Sequence, residues 1–298
     1  MSPRVATADG SALAGMGQRH DGFPAVVEPP PESERTFRVR VGQHRIRVRI
    51  VGEGPPLLLI NGIGGNIEMW RPLIDALPGR QVIAFDMPGA GSSSTMLVPR
   101  PMYFMARLTA ALVRTLGYDT VDVLGLSWGG AVAQHLAVAF PRVVNRLVLC
   151  ATVPGFPSVP GTPAALSMML SRRRYTDPEY LVKVAPTLYG GRIRHQPDLV
   201  LEQARARAGR PPSFWGYMSQ LFSMATFTSW PVMNMVQAPT LVMAGDDDPI
   251  VPLLNGRILA FGIPGARLHV IESGGHLFLH ERPDEVAPVI DAFLSVDR

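Results

Sequence analysis

The clearest chemical potential in this chain lies in a serine set between glycines, Gly125-Leu126-Ser127-Trp128-Gly129, of the form G-x-S-x-G. An apolar run, residues 121–126, leads straight into it, and a helical pattern begins near Gly129-Gly130. A strand that turns sharply into a helix strains the backbone of the corner residue, so the flanking residues must be small. Gly125 and Gly129 meet that need. The corner would expose the Ser127 hydroxyl above a helix N-terminus, where developing negative charge is favoured. The chemistry implied is attack of a serine oxygen on a carbonyl carbon.

A serine hydroxyl needs a general base near neutral pH, and histidine is suited to it. Of the seven histidines, His20 lies in an N-terminal leader, His44 in a hairpin, His135 in the helix after the serine and His269 inside a strand pattern. His195 falls in a helical region, and His280 is expected to pack or face water. His276, in Gly274-Gly275-His276 after the last strand, can be presented by a glycine-rich loop. An acid must orient that imidazole. The run 240–244 ends in Gly245-Asp246-Asp247-Asp248-Pro249, which places three aspartates between the serine and the histidine. Asp246 and Asp247 suit capping of the loop and the helix that follows. Asp86, in Asp86-Met87-Pro88-Gly89, reads as turn chemistry.

Acyl transfer also needs two N–H donors for the oxyanion. The backbone N–H of Trp128 is the expected first donor. The second is expected at Ile63, in the glycine-rich loop Asn61-Gly62-Ile63-Gly64-Gly65 that follows the apolar run 57–60.

These residues need a scaffold. Residues 36–41 and His44–Val51 alternate apolar and polar side chains about a short turn, as a half-wet hairpin does. The runs 57–60, 82–85, 121–126, 143–150 and 240–244 are short and continuously apolar, as strands buried on both faces are. Helical patterns over 102–116, 131–140, 253–261 and 283–294 alternate with them, which implies a mostly parallel sheet with an antiparallel N-terminal hairpin. Residues 154–236 break the alternation. They show helical segments, no clear strand, and many methionines and aromatics, and read as a helical cap inserted between two strands. The expected organisation is a leader over 1–34, a core of 35–153 and 237–298, and the cap.

The order serine, acid, histidine is that of the α/β-hydrolase fold. More narrowly, the chain resembles the intracellular poly(3-hydroxyalkanoate) depolymerases, above all those acting on medium-chain-length polyester. The resemblance spans residues 36–295. It rests on Asn61-Gly62-Ile63-Gly64, Gly125-Leu126-Ser127-Trp128-Gly129-Gly130 and Gly245-Asp246-Asp247-Asp248-Pro249. In the cap it rests on Val159-Pro160-Gly161, Met168-Met169, Arg173-Arg174-Tyr175 and Ala185-Pro186-Thr187-Leu188-Tyr189-Gly190-Gly191. It implies a triad of Ser127, Asp248 and His276, and so selects the third aspartate. Most relatives carry His-Gly where this chain has Asn61-Gly62; the donor there is a main-chain group, so the change need not harm catalysis. The resemblance further implies a cytoplasmic enzyme at the surface of polyester granules, hydrolysing ester bonds to 3-hydroxyalkanoic acids or oligomers. No metal or organic cofactor is required. A carboxylesterase, lactonase or carbon–carbon bond hydrolase of the same fold would use the same residues on a small soluble substrate.

Composition narrows the field. The 298 residues are 47% hydrophobic and 17% charged, enough for a sizeable core. The net charge is +4, and no basic run interleaved with aromatics suggests nucleic-acid binding. Arg172-Arg173-Arg174 reads as a solvated face. A single cysteine, Cys150, allows no intrachain disulfide and fits a reducing compartment. No apolar stretch is long enough to span a bilayer, and residues 1–34 lack the apolar core of a signal peptide.

Overall fold

The structure is a computed structural model describing residues 34–296. The expected leader lies outside the described residues except for Glu34, which pairs with Arg49 and Arg71, each at 3.3 Å. Eight strands form one sheet: β1 (Arg35–Val41), β2 (His44–Val51), β3 (Pro56–Ile60), β4 (Gln81–Phe85), β5 (Val121–Leu126), β6 (Val144–Cys150), β7 (Thr240–Gly245) and β8 (Arg267–Ile271). Their order across the sheet is β1-β2-β4-β3-β5-β6-β7-β8. The β1–β2 and β2–β4 pairs are antiparallel and the others parallel.

The helices are α1 (Arg71–Asp75), α2 (Met102–Thr115), α3 (Trp128–Ala139), α4 (Pro163–Met169), α5 (Arg173–Thr176), α6 (Pro178–Tyr189), α7 (Leu201–Gly209), α8 (Phe214–Ala225), α9 (Leu253–Gly262), α10 (Phe278–Glu281) and α11 (Pro283–Leu294). The continuously apolar strands are buried on both faces because successive side chains go to opposite sides. Leu58 and Ile60 of β3 join one core with α2, α3 and α9; Leu57 and Leu59 join the other with α1, α10 and α11. Helix α3 begins at Trp128, earlier than the pattern over 131–140 suggested, since the helix starts directly at the corner after Ser127.

Five helices, α4 to α8, lie between β6 and β7 in the chain. Local signals start three of them. Thr162, Asp177 and Ser213 each accept the backbone N–H of the third residue of the helix that follows. Leu181, Ala185, Leu188 and Val200 give this insertion a small core of its own, which also takes in Ile250, Val251 and Leu277.

Two features position the site. The chain passes from β3 outward to β4 and then returns to lay β5 on β3's other side. Loops leaving the C-terminal ends of β3 and β5 therefore diverge, and such a switch opens a crevice at that edge. The opposite edge is tied by Arg80. Its guanidinium reaches Asp122 at 3.2 Å, Asp291 of α11 at 2.8 Å and the Ser295 hydroxyl at 2.7 Å. Asp122 is fully buried, and Asn145 also donates to it. Arg80→Ala would leave that carboxylate short of its cation, so we expect a loss of about 3–5 kcal/mol in urea unfolding, with the folded fraction keeping its activity.

Candidate active site

The C-terminal ends of β3, β5, β7 and β8 deliver the four segments singled out from sequence. Ser127 directly follows β5. Its backbone has φ +53° and ψ −116°, a conformation that costs about 1–3 kcal/mol for a non-glycine residue. Hydrogen bonds hold it there: Ser127 N–H donates to Cys150 O at 2.8 Å, and the Thr152 hydroxyl donates to Ser127 O at 2.7 Å. The glycines are steric necessities. A Cβ on Gly129 would collide with the carbonyls of Ile60 and Asn61, and one on Gly125 with the carbonyl of Gly129.

His276 follows β8, and its Nδ1 lies 2.8 Å from Asp248 Oδ2. A carboxylate only accepts, so Nδ1 carries a proton, and in the neutral imidazole the lone pair is then on Nε2. Asp248 is itself fixed, since its Oδ1 accepts the N–H groups of Ile250 and Val251 at 2.8 and 2.9 Å. Both side chains are buried. Of the three aspartates, only this one meets the imidazole. Asp246 is exposed, and Asp247 turns to the insertion, accepting from Gly191 N–H at 2.8 Å and Arg194 at 2.7 Å. The capping expected of Asp246 and Asp247 is not what they do. Helix α9 begins after Pro252 with no side-chain cap.

In the loop after β3, Gly62 N–H is taken by Asn61 Oδ1, Gly64 N–H by Gln220 Oε1 at 2.7 Å, and Gly65 N–H by Gly62 O. The N–H of Ile63 has no partner among the described residues, nor has that of Trp128, so both are free to meet an oxyanion. Asn61 braces the loop by donating from Nδ2 to Asn66 O at 2.8 Å. Asp86 bears out its reading as turn chemistry. It is buried, accepts from Ile67 and Ser92 N–H at 2.9 and 2.8 Å, and pairs with Arg47 at 3.4 Å. Burial pushes its carboxyl up despite those donors.

Contacts that sequence reasoning missed come from the insertion. The Tyr175 hydroxyl of α5 donates to Ile63 O, while Gln220 of α8 takes the N–H of Gly64. These groups belong to one peptide unit, so two side chains of the insertion grip both sides of it. The Trp128 indole donates to Gln220 O at 3.1 Å and to the Ser223 hydroxyl at 2.9 Å. His276 N–H donates to Tyr189 O at 2.7 Å. Ser127, His276 and Ile63 line one cavity of about 30 Å³, together with Met169, Arg174, Tyr175, Tyr189 and Arg207. Arg174 is thus a buried pocket residue, whereas the sequence reading had placed it on a solvated face; Arg173 is exposed as expected. No cluster of three or more His, Cys, Asp and Glu among the described residues is placed to hold a metal ion.

A strained serine at a strand–helix corner, lining one cavity with a carboxylate-oriented histidine, defines a class, and the chain belongs to the alpha/beta hydrolase fold family, whose model matches residues 55–283. Among its relatives is the poly(3-hydroxyalkanoate) depolymerase of Ectopseudomonas oleovorans, 46% identical over 275 residues, covering 91% of this chain and 95% of the relative. The 2-hydroxy-6-oxo-6-phenylhexa-2,4-dienoate hydrolase of Comamonas testosteroni is 28% identical over 78% of this chain and 85% of its own. Among solved structures, the enol-lactonase of Burkholderia xenovorans LB400 superposes with a TM-score of 0.76 at 25% identity, over 87% of this chain and all of that one.

His280 packs, as one of its two sequence readings held: it stacks on Trp70, with ring centroids 5.9 Å apart. Burial first, then repulsion from Arg207 and His276, pushes its pKa down to about 3. The unfolded chain protonates it near 6.5 and the folded chain does not. Stability should therefore fall as pH drops from about 6.5 toward 3, by up to about 1.4 kcal/mol per pH unit from this group. Urea unfolding of His280→Phe between pH 7 and 4 should show a correspondingly shallower decline.

Proposed function

We propose that this chain hydrolyses the ester bonds of poly(3-hydroxyalkanoate), with Ser127 as nucleophile, His276 as general base and Asp248 as its orienting acid. The observation that carries the substrate class is the similarity to the depolymerase. An alignment of 275 residues in a chain of 298 runs through the insertion as well as the core. We read that insertion, residues 154–236, as a cap over the site.

In the reaction, His276 Nε2 takes the Ser127 proton as Oγ attacks the ester carbonyl. The N–H groups of Ile63 and Trp128 receive the developing oxyanion. The alcohol leaves with the proton from His276. Water, deprotonated in turn by His276, then releases the acid from Ser127. Asp248 orients the imidazole and stabilises the imidazolium.

A polymer substrate is supported by α8, which turns Phe214, Trp215, Met218 and Phe222 outward. Large apolar side chains on one exposed face suit contact with an apolar surface, here that of a polyester granule. Work at such granules places the enzyme in the cytoplasm. Among the described residues no helix is long and apolar enough to cross a membrane.

The test is release of 3-hydroxyalkanoic acids from a medium-chain-length polyester latex, with p-nitrophenyl octanoate alongside. The wild-type protein should release them, and Ser127→Ala should fall by about 10⁴-fold or more with its melting temperature preserved. Cleavage of the soluble ester alone would make it a carboxylesterase instead. The grip on the Ile63–Gly64 peptide has its own test. Gln220→Ala should lower kcat about ten- to a hundredfold with a much smaller change in KM. Gln220→Glu, which still accepts from Gly64, should keep most of the rate.

A further inference from the structure

Four arginines are buried among the described residues, and they divide by partner. Arg47 meets Glu68 and Asp86, and Arg80 meets Asp122 and Asp291. Arg174 and Arg207, each 4% exposed, have no carboxylate within ion-pair distance among the described residues. Their acceptors are neutral: Arg174 donates to the Tyr217 hydroxyl at 3.0 Å and Arg207 to the Tyr189 hydroxyl. The Nε of each is buried and without a partner. Both lie beside the Tyr175 ring, 4.4 and 5.9 Å from its centroid. Both line the cavity that holds Ser127 and His276.

A buried cation without a counter-charge is costly, and a protein that keeps two in its reactive pocket leaves the counter-charge to a ligand. A guanidinium offers five donors in a planar fork that matches a carboxylate. The pocket's potential is already felt by Tyr189: burial pushes its hydroxyl up, yet Arg207 and Arg174 outweigh this and hold it below the ordinary tyrosine value.

We propose that Arg174 and Arg207 bind the free carboxylate at the acid end of a polyester chain or oligomer, so that the enzyme works from that end. This deepens the depolymerase reading and rests on it. In the terminal unit the carboxylate is joined to the ester oxygen through only two carbons, so a narrow cavity can hold both groups. Ser127 Oγ bonds to the penultimate carbonyl carbon, and the bond from that carbon to the ester oxygen breaks. The terminal unit departs as a 3-hydroxyalkanoate with the proton from His276. Water then frees the shortened chain, whose new carboxylate is the next one the arginines receive.

The experiment compares the linear dimer of 3-hydroxyoctanoic acid as free acid and as methyl ester, with polyester latex as the control for the parent reading. In the wild-type enzyme the acid should exceed the methyl ester in kcat/KM by about thirtyfold or more. Arg174→Gln and Arg207→Gln should each bring that ratio within about threefold of unity, and Arg207→Lys should keep part of it. Equal rates on the two dimers by a wild-type enzyme that degrades latex overturn the subsite and leave the depolymerase reading standing. If neither latex nor dimer is cleaved, that reading fails, and inhibition of p-nitrophenyl octanoate hydrolysis decides the subsite. Inhibition by 3-hydroxyoctanoate about tenfold or more tighter than by its amide upholds it, and equal inhibition overturns it. The wild-type comparisons decide even where an arginine variant does not fold.

Discussion

The turn from β5 into α3 at Ser127 is the constraint on which the rest depends. Only Ser127 separates the strand from the helix, so it takes a left-handed backbone, and Gly125 and Gly129, two residues away on either side, have no room for a side chain. That strain survives because the surroundings over-determine it. The carbonyl of Cys150 holds its N–H, the Thr152 hydroxyl holds its carbonyl, and β3 lies so close that only glycine fits at 129. A buried parallel sheet is the natural frame for such a corner, because its strands end together at one edge and their loops share one crevice.

The core and the insertion divide the work of positioning. The core supplies Ser127, Asp248, His276 and the Ile63 loop, from the ends of β3, β5, β7 and β8. The insertion touches the backbones that carry them. Tyr175 and Gln220 hold opposite sides of the Ile63–Gly64 peptide, Gln220 and Ser223 hold the Trp128 indole, and the Tyr189 carbonyl holds the N–H of His276. Each of these is a single hydrogen bond of modest net worth. Their leverage is geometric, since each fixes an orientation that the core alone leaves open.

Much of this was legible in the sequence, for reasons that differ by element. The sheet strands from β3 to β7 announce themselves because burial on both faces demands unbroken apolar runs. The corner shows in Gly125 and Gly129, whose lack of a side chain has a steric cause. Asp248 could not be separated from Asp246 and Asp247 by spacing alone; resemblance favoured it, and the geometry pairs it with His276. The insertion was the opaque part. Its helices end and begin within a few residues, and its contacts with the core span up to 156 positions, as between Gly64 and Gln220. Arg174 shows the difficulty most plainly. Beside Arg172 and Arg173 it looks like one of a solvated trio, and only the third dimension turns it inward while Arg173 faces water.

The small size of the cavity has a consequence when set beside the double grip on the Ile63–Gly64 peptide. About 30 Å³ is room for little more than a water molecule, far less than an acyl chain. Helix α5 lines this cavity through Arg174 and Tyr175, and the Tyr175 hydroxyl also donates to Ile63 O. Room beside Ser127 and the setting of the loop after β3 are therefore tied through one side chain: whatever occupies the cavity presses on the residue that braces the Ile63–Gly64 peptide.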